Sequence, residues 1–362
     1  MSPMAGVSDS PGRIMSRRFG ADFTFTEFGS ADFIGNRDPD TLKLYSFQAE
    51  ERPIVFQIFA SNVASARRAV QVLAPLQPDQ FDLNMGCSVN RVAMKGAGAA
   101  LLKTPEKAAR ILEAMRAESG LPVSAKIRIG WEDSDSVLEI GEILQQSGIC
   151  SLFVHGRTAA QRYRGQASHA PALELAHRLS IPVFANGDLE SYAEAQTLID
   201  SSELSGALIG RASIGNPFLF SEDSVSFEKR LQTALDHLEL SIDFHGPRGL
   251  FIFRKHLAGY LSFLSQDQRR PYLMESSVEI LRRSLQNLQA SDPAEFVAEQ
   301  PAQKESGPGS GPGNAASAAD SGKSDASARS QCDLSSGCEV EKAGFPPASK
   351  QGCISSGGQF AA

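Results

Sequence analysis

The residues best suited to chemistry gather in one stretch, residues 82–102, DLNMGCSVNRVAMKGAGAALL. It leaves an apolar run, passes Cys87 and enters a segment rich in Gly and Ala. A thiol has an ordinary pKa above neutrality, so at pH 7 it is mostly protonated and can serve as a proton donor. Asn84 precedes Cys87 by three positions, and Met85, Gly86 and Ser88 surround it. Small neighbours let a substrate come close to the backbone. The alternative is an inert cysteine buried on a tight turn.

Other groups fit a charged ligand. Lys126 stands in the apolar run PVSAKIRI with Arg128 two residues on. A buried lysine needs a partner or a shifted pKa. It could be a Schiff-base nucleophile, or a positive charge beside a cofactor. His155 could bind phosphate or act as an acid; a satisfied core histidine is the alternative. Asn186-Gly187-Asp188 and Gly210-Arg211 offer backbone N–H groups and a cation to a phosphate. An ordinary Asn-Gly-Asp turn with a surface ion pair is the plainer reading.

These groups meet only if the strands that carry them end side by side, as they do over the mouth of an α/β barrel. Apolar runs at 21–27, 52–59, 80–84, 122–129, 149–155, 181–186 and 206–209 alternate with amphipathic ones. Residues 3–6 read as the end of a first strand with almost nothing before it. Short apolar strands suit a sheet buried on both faces. The count predicts a (β/α)8 TIM barrel over residues 1–222. A doubly wound sheet is weaker, because no GxGxxG follows the first strand. The strand ends then carry Pro3, Met4, Ala5, Gln57, Asn84, Cys87, Lys126, Arg128, His155, Asn186–Asp188, Gly210 and Arg211. Residues 96–100 predict a helix start packed under the Cys87 loop.

Three long amphipathic runs at 224–245, 250–264 and 275–290 predict a small all-helical domain over 223–291. Its bases are Arg254, Lys255, Arg269, Arg270, Arg282 and Arg283, with His256 when protonated, and residues 250–290 carry a net charge of +3. That is a local basic face on a chain of net charge −7 and pI about 5.5, which has no global nucleic-acid signature. Residues 292–362 are low in large apolar side chains and rich in Ser, Gly, Ala and Pro, so a disordered tail is expected there. The cysteines are Cys87, Cys150, Cys332, Cys338 and Cys353, with no Cys-x-x-Cys pair, so no metal site is expected. No apolar leader or membrane span is visible, and the expected compartment is the reducing cytoplasm.

The stretches PMAGVSDSP (3–11), QIFAS (57–61), residues 82–102, VSAKIRIGW (123–131), LFVHGRTAAQRYRG (152–165), VFANGDL (183–189), ALIGRASIGNPF (207–218) and FRKHLAGYL (253–261) resemble the tRNA-dihydrouridine synthases, most closely the bacterial B-type. The resemblance runs over about residues 1–290. It implies an FMN-dependent reductase that converts uridine in tRNA to 5,6-dihydrouridine, with NADPH or NADH as reductant. Hydride goes to C6 of the uracil, and Cys87 protonates C5. By the same resemblance Pro3, Met4 and Ala5 lie against the flavin, and Gln57 and Lys126 hydrogen-bond its ring. His155, Asn186, Gly187, Asp188, Gly210 and Arg211 hold the rest of FMN and its phosphate. Asn84 and Arg128 face the uracil, tRNA is the partner, and the protein is a monomer. The sequence departs from the usual residues at Gly12, Ser88, Asn90, Arg91 and His169. The nearly missing first strand implies an unpaired barrel edge. Two other functions share these features: an FMN barrel oxidoreductase on free pyrimidines, and a redox-inactive tRNA-binding protein.

Overall fold

The structure, a computed structural model, describes residues 1–291. The tail from 292, with Cys332, Cys338 and Cys353, lies outside the described residues. Eight parallel strands form one sheet: β1 (Thr24–Phe25), β2 (Gly29–Ser30), β3 (Ile54–Phe59), β4 (Gln80–Met85), β5 (Val123–Arg128), β6 (Leu152–His155), β7 (Val183–Asn186) and β8 (Gly206–Leu208). Each of β3 to β7 pairs with the next, and β1 and β2 both lie along β3. Helices on the outside return the chain between strands, which makes the TIM-barrel-like fold expected from the alternation.

The period-two pattern of each strand decides what faces where. On β3, Ile54, Phe56 and Ile58 join the outer core against the helices, as do Phe81, Leu83 and Met85 on β4 and Val123, Ala125 and Ile127 on β5. The alternate positions form a second set. Phe25, Val55, Phe153, Phe184 and Leu208 pack with Phe23 into a separate buried cluster. Phe153 and Phe184 stand 4.9 Å apart and Phe25 meets Phe153 edge-on at 5.1 Å, so aromatic rings plug the barrel. Two residues on along their strands, Gln57 follows Val55, His155 follows Phe153 and Asn186 follows Phe184, and with Lys126, the register partner of Phe153, they make the barrel polar.

The structure changes four local expectations. The strand expected over 21–27 shortens to β1, and β2 follows beyond the run after a break. Thr26 starts the break: its hydroxyl accepts the Gln57 N–H (3.1 Å), taking the place of a backbone partner. The expected barrel edge is not open. The Ser2 N–H donates to the Ile209 carbonyl (2.9 Å) and the Met1 nitrogen to the Phe23 carbonyl (3.0 Å), so two residues bridge the gap between β8 and β1. Residues 98–103 form a 3-10 turn rather than an α-helix start. A fourth C-terminal helix, Gln266–Met274, joins Phe227–His245, Gly249–Tyr260 and Val278–Gln289.

Those four helices bury their own apolar cluster, which includes Leu231, Leu238, Phe253, Leu257, Tyr260, Leu281 and Leu285. Ser226, Ser265 and Ser277 cap three of them by accepting backbone N–H groups. The basic face is thinner than the sequence suggests. Arg282 pairs with Glu239 and Glu279, Arg254 donates to the Glu275 carbonyl, and Arg269 to the Ala258 carbonyl. His256 is buried, and burial lowers its pKa to about 4, so it adds no charge near neutrality. Lys255, Arg270 and Arg283 stay exposed. Among the described residues no helix is long and apolar enough to cross a membrane.

The Ser10–Arg18 helix is fixed from within. Asp9 caps it by accepting the Gly12 N–H (3.1 Å). Arg13, fully buried, donates to Glu51 Oε2 (2.6 Å), the Ser8 carbonyl (2.6 Å) and the Ser46 carbonyl (2.7 Å). The loop that precedes this helix carries Pro3 and Met4 to the barrel mouth.

Candidate active site

Cys87 sits half-buried on the turn that follows β4. The backbone N–H and carbonyl groups of Gly86 and Cys87 are all held. Asn84 Oδ1 accepts the N–H groups of Gly86 (3.1 Å) and Cys87 (2.9 Å). Arg128 Nε donates to the Gly86 carbonyl (2.8 Å), and the Ala99 N–H donates to the Cys87 carbonyl (3.0 Å). Gly98 makes that last contact possible. Its φ is +60°, and a Cβ there would stand 2.7 Å from the Cys87 carbonyl oxygen.

Beneath the turn runs a buried polar chain. Asn84 Nδ2 donates to Gln57 Oε1 (2.8 Å), Gln57 Nε2 to Asp82 Oδ2 (2.7 Å), and Ser124 Oγ to Asp82 Oδ1 (2.6 Å). Both ends of Asn84 and of Gln57 are therefore engaged with protein. Burial raises the Asp82 pKa to about 7, against the pull of its two hydrogen bonds and Lys126. Asp82 was not among the residues singled out from the sequence. The alternation Gln80-Phe81-Asp82-Leu83-Asn84, polar at every second position, is the signal that would have found it.

Beside this turn opens a cavity of about 520 Å³. Pro3, Met4, Lys126, His155, Asn186, Gly187, Asp188, Gly210 and Arg211 line it, nine of the residues expected at strand ends. Ala5 and Gln57 are not in its wall, nor are Asn84, Cys87 and Arg128. Ser88 lines a neighbouring cavity of about 690 Å³ instead, and Tyr163 lines both. Tyr163 is 64% exposed, with the guanidinium groups of Arg128 and Arg211 at 5.6 Å and 5.3 Å from its ring centre. Sequence reasoning passed over Tyr163, although it lies in the quoted run 152–165.

Lys126 Nζ donates to Asn186 Oδ1 (2.8 Å), its one hydrogen-bond acceptor among the described residues. Asn186 Nδ2 in turn donates to the Leu208 carbonyl (2.7 Å), which fixes the amide's orientation. Burial and the Arg128 charge lower the Lys126 pKa to about 8, with Asp82 opposing them. Burial, and then Lys126, Arg128 and Arg157, push His155 far below the ordinary imidazole range, so it is neutral. Gly187 must be glycine: φ is +120°, and a Cβ would lie 2.9 Å from the His155 ring. Asp188 accepts from Arg157 at 2.8 and 2.5 Å, from the Ala167 N–H (2.9 Å) and from Arg211 (3.0 Å). These bonds, led by Arg157, hold its pKa at about 2. The Asp188 carboxylate thus faces arginines, and Arg157, buried at 3% exposure, is its main partner. Arg157 also went unnoticed in the sequence, because nothing marks a pair 31 residues apart.

This donor set fits a flavin nucleotide. A buried ammonium with two N–H groups left over faces a cavity whose wall includes Pro3, Met4, Gly187, Gly210 and Arg211. The wall of Pro3 and Met4 suits an apolar ring, and the glycines with Arg211 suit a phosphate.

Comparison with known proteins gives one family and many relatives. The model for "Dihydrouridine synthase (Dus)" matches residues 1–295. A tRNA-dihydrouridine synthase B of Pseudomonas aeruginosa is 34% identical over 278 residues, covering 73% of this chain and 83% of that protein. The tRNA-dihydrouridine synthase B of Xanthomonas axonopodis pv. citri is 35% identical over 277 residues, covering 72% and 82%. A probable tRNA-dihydrouridine synthase of Aquifex aeolicus is 35% identical over 255 residues, covering 67% and 80%. Among solved structures, an old yellow enzyme homologue from Zymomonas mobilis aligns with a TM-score of 0.39 at 12% identity, covering 59% of this chain and 81% of that one.

Proposed function

Because the chain belongs to the dihydrouridine synthase family, we propose that it reduces the C5=C6 bond of uridines in tRNA to 5,6-dihydrouridine, with FMN as cofactor and NADPH or NADH as reductant. The enzyme is an oxidoreductase. What carries the reading is the cavity of about 520 Å³ that gathers nine expected strand-end residues beside the anchored Cys87 turn. Bound there, reduced FMN supplies the hydride that adds to C6 of the uracil.

The protein's own groups do the rest. Lys126 and neutral His155 bind and orient the ring system, and Arg211 with the backbone around Gly187 and Gly210 holds the phosphate. Asp188 and Arg157 keep Arg211 in place. Cys87 Sγ gives its proton to C5, which balances the hydride at C6, and the thiolate regains a proton from solvent. Asn84 and Arg128 act on the Cys87 turn through the contacts described above, and Arg128 with Tyr163 borders the space a uracil would enter. A uridine must leave its stack to reach a barrel mouth, which is how RNA bases are commonly read. Residues 223–291, with Lys255, Arg270 and Arg283 exposed, hold the tRNA backbone; residues 1–222 form the catalytic part.

The decisive experiment is an absorbance spectrum of the purified protein, followed by anaerobic NADPH and then unmodified tRNA. Flavin bands that bleach, and dihydrouridine in the digested tRNA, are expected. Turnover of free pyrimidine with none on tRNA would favour the small-molecule oxidoreductase. Tight tRNA binding by a protein that takes up no flavin would leave only the redox-inactive alternative.

Lys126 makes the flavin site pH-sensitive. An amine is charged below its pKa, so the attraction for FMN is full at pH 6 to 7 and fades as pH rises through about 8. FMN affinity, read by fluorescence quenching, is expected to fall between pH 7 and 9. Lys126→Met should bind about 10- to 100-fold more weakly at pH 7, the worth of one charge-assisted hydrogen bond, and show a flat profile. A wild-type profile as flat as the variant's would remove Lys126 from the site.

A further inference from the structure

The N-cap of the Ser10–Arg18 helix meets the C-terminal helices at a buried cluster of Asp9, His237 and His256. One ligand atom from each lies within 4.8 Å of the others. The two imidazole rings are 4.5 Å apart between centres. His237 is 1% exposed and His256 3%, and Nε2 of each is buried with no hydrogen-bond partner among the described residues. Two unpaired buried ring nitrogens in one cluster are costly unless something accepts or fills them. His237 Nδ1 lies 3.1 Å from the Tyr260 hydroxyl, and a ring that donates there leaves its Nε2 lone pair free. A second ring nitrogen fixed by a hydrogen bond is the usual support of a metal-bound histidine.

The carboxylate is suited to the same purpose. Asp9 is 7% exposed; one of its oxygens caps the helix, and the other accepts from His245 Nε2 at 2.7 Å. Three candidate donors thus surround one point, two imidazoles and a carboxylate, with His245 hydrogen-bonded to that carboxylate from outside the cluster. Lys255, next in sequence to His256, turns its ammonium away onto the Gly6 carbonyl. Nitrogen and carboxylate donors in this number suit zinc.

We propose that Asp9, His237 and His256 bind a divalent zinc-class ion, with His245 holding the Asp9 carboxylate from outside. The ion ties the Phe227–His245 and Gly249–Tyr260 helices to the helix that follows the Pro3–Met4 loop. No local pattern marks it, because Asp9 lies more than 220 residues from the two histidines and none of the ligands is a cysteine.

The test uses the full chain, stripped with a chelator and titrated with Co²⁺ as a visible probe. Absorption of tetrahedral Co²⁺ should saturate at about one equivalent per chain and be displaced by Zn²⁺. Asp9→Asn keeps a capping side chain but removes the anionic donor, and His256→Asn removes a ring; each should weaken binding about 10-fold or more. Zinc should also raise the melting temperature of the wild type and not of these variants. A stripped wild-type chain that takes up no Co²⁺ would overturn the proposal without any variant. So would a cobalt spectrum with thiolate bands that both substitutions leave unchanged, since the metal would then sit on the tail cysteines.

Discussion

Cys87→Ala is expected to lower dihydrouridine formation by about 10²- to 10⁴-fold, the usual range for loss of a general acid. The substitution is clean in structural terms. The hydrogen bonds that hold the turn run to backbone atoms of Gly86 and Cys87, and alanine keeps all of them. It also keeps the Cβ that rests near Gly98. Cys87 is not in the wall of the cavity assigned to FMN, so flavin content should not change. Reduction by NADPH should likewise proceed at the wild-type rate, because no proton from Cys87 enters that half of the reaction. The loss is therefore confined to the step on uridine, and single-turnover mixing of the reduced enzyme with unmodified tRNA will read it directly. Cys87→Ser should fall between the two, since a hydroxyl is a much weaker acid of similar reach. Turnover of Cys87→Ala within about threefold of wild type would assign the proton to another group.

The parts of this site that were legible in the sequence are those whose signal is local. Lys126 and Arg128 stand two apart in an apolar run, so they had to share a face, and β5 places both inward. Cys87 was marked by small neighbours after a strand. The barrel itself followed from alternating runs, whose periods are local too. What failed depends on contacts between distant residues. The break between β1 and β2 comes from a Thr26 hydroxyl bonding across to Gln57. The helix Gln266–Met274 was missed because it holds Pro271 and buries no side chain fully, so it has no apolar stripe to read. Asp82 looked like a strand residue until Gln57 and Ser124 were seen to meet it. Asp188 looked like a phosphate-loop residue, and its carboxylate proves to be gripped by Arg157. Asp9 caps its helix through a local bond, but its histidine neighbours arrive from more than 220 residues away.

Arg13→Leu is expected to cost about 3–5 kcal/mol of stability, the range for breaking a buried ion pair. Arg13 and Glu51 are 1% and 0% exposed, so solvent cannot replace the lost partner. Glu51 would keep only the Ser10 hydroxyl (2.5 Å) and the Gln48 N–H (2.7 Å) for a buried carboxylate. The Ser8 and Ser46 carbonyls would lose their donors as well. The damage should reach function, because Ser8 Oγ accepts the Met4 N–H (2.7 Å) and so ties the flavin-side loop to the part of the chain Arg13 holds. Denaturant unfolding of the FMN-free protein measures the first effect, and FMN affinity of the folded fraction the second. The physical cause is testable with the double variant. Adding Glu51→Leu to Arg13→Leu removes the stranded charge and should recover part of the loss, though not the carbonyl contacts. If Arg13→Leu costs less than about 1 kcal/mol, the pair is not what anchors this helix.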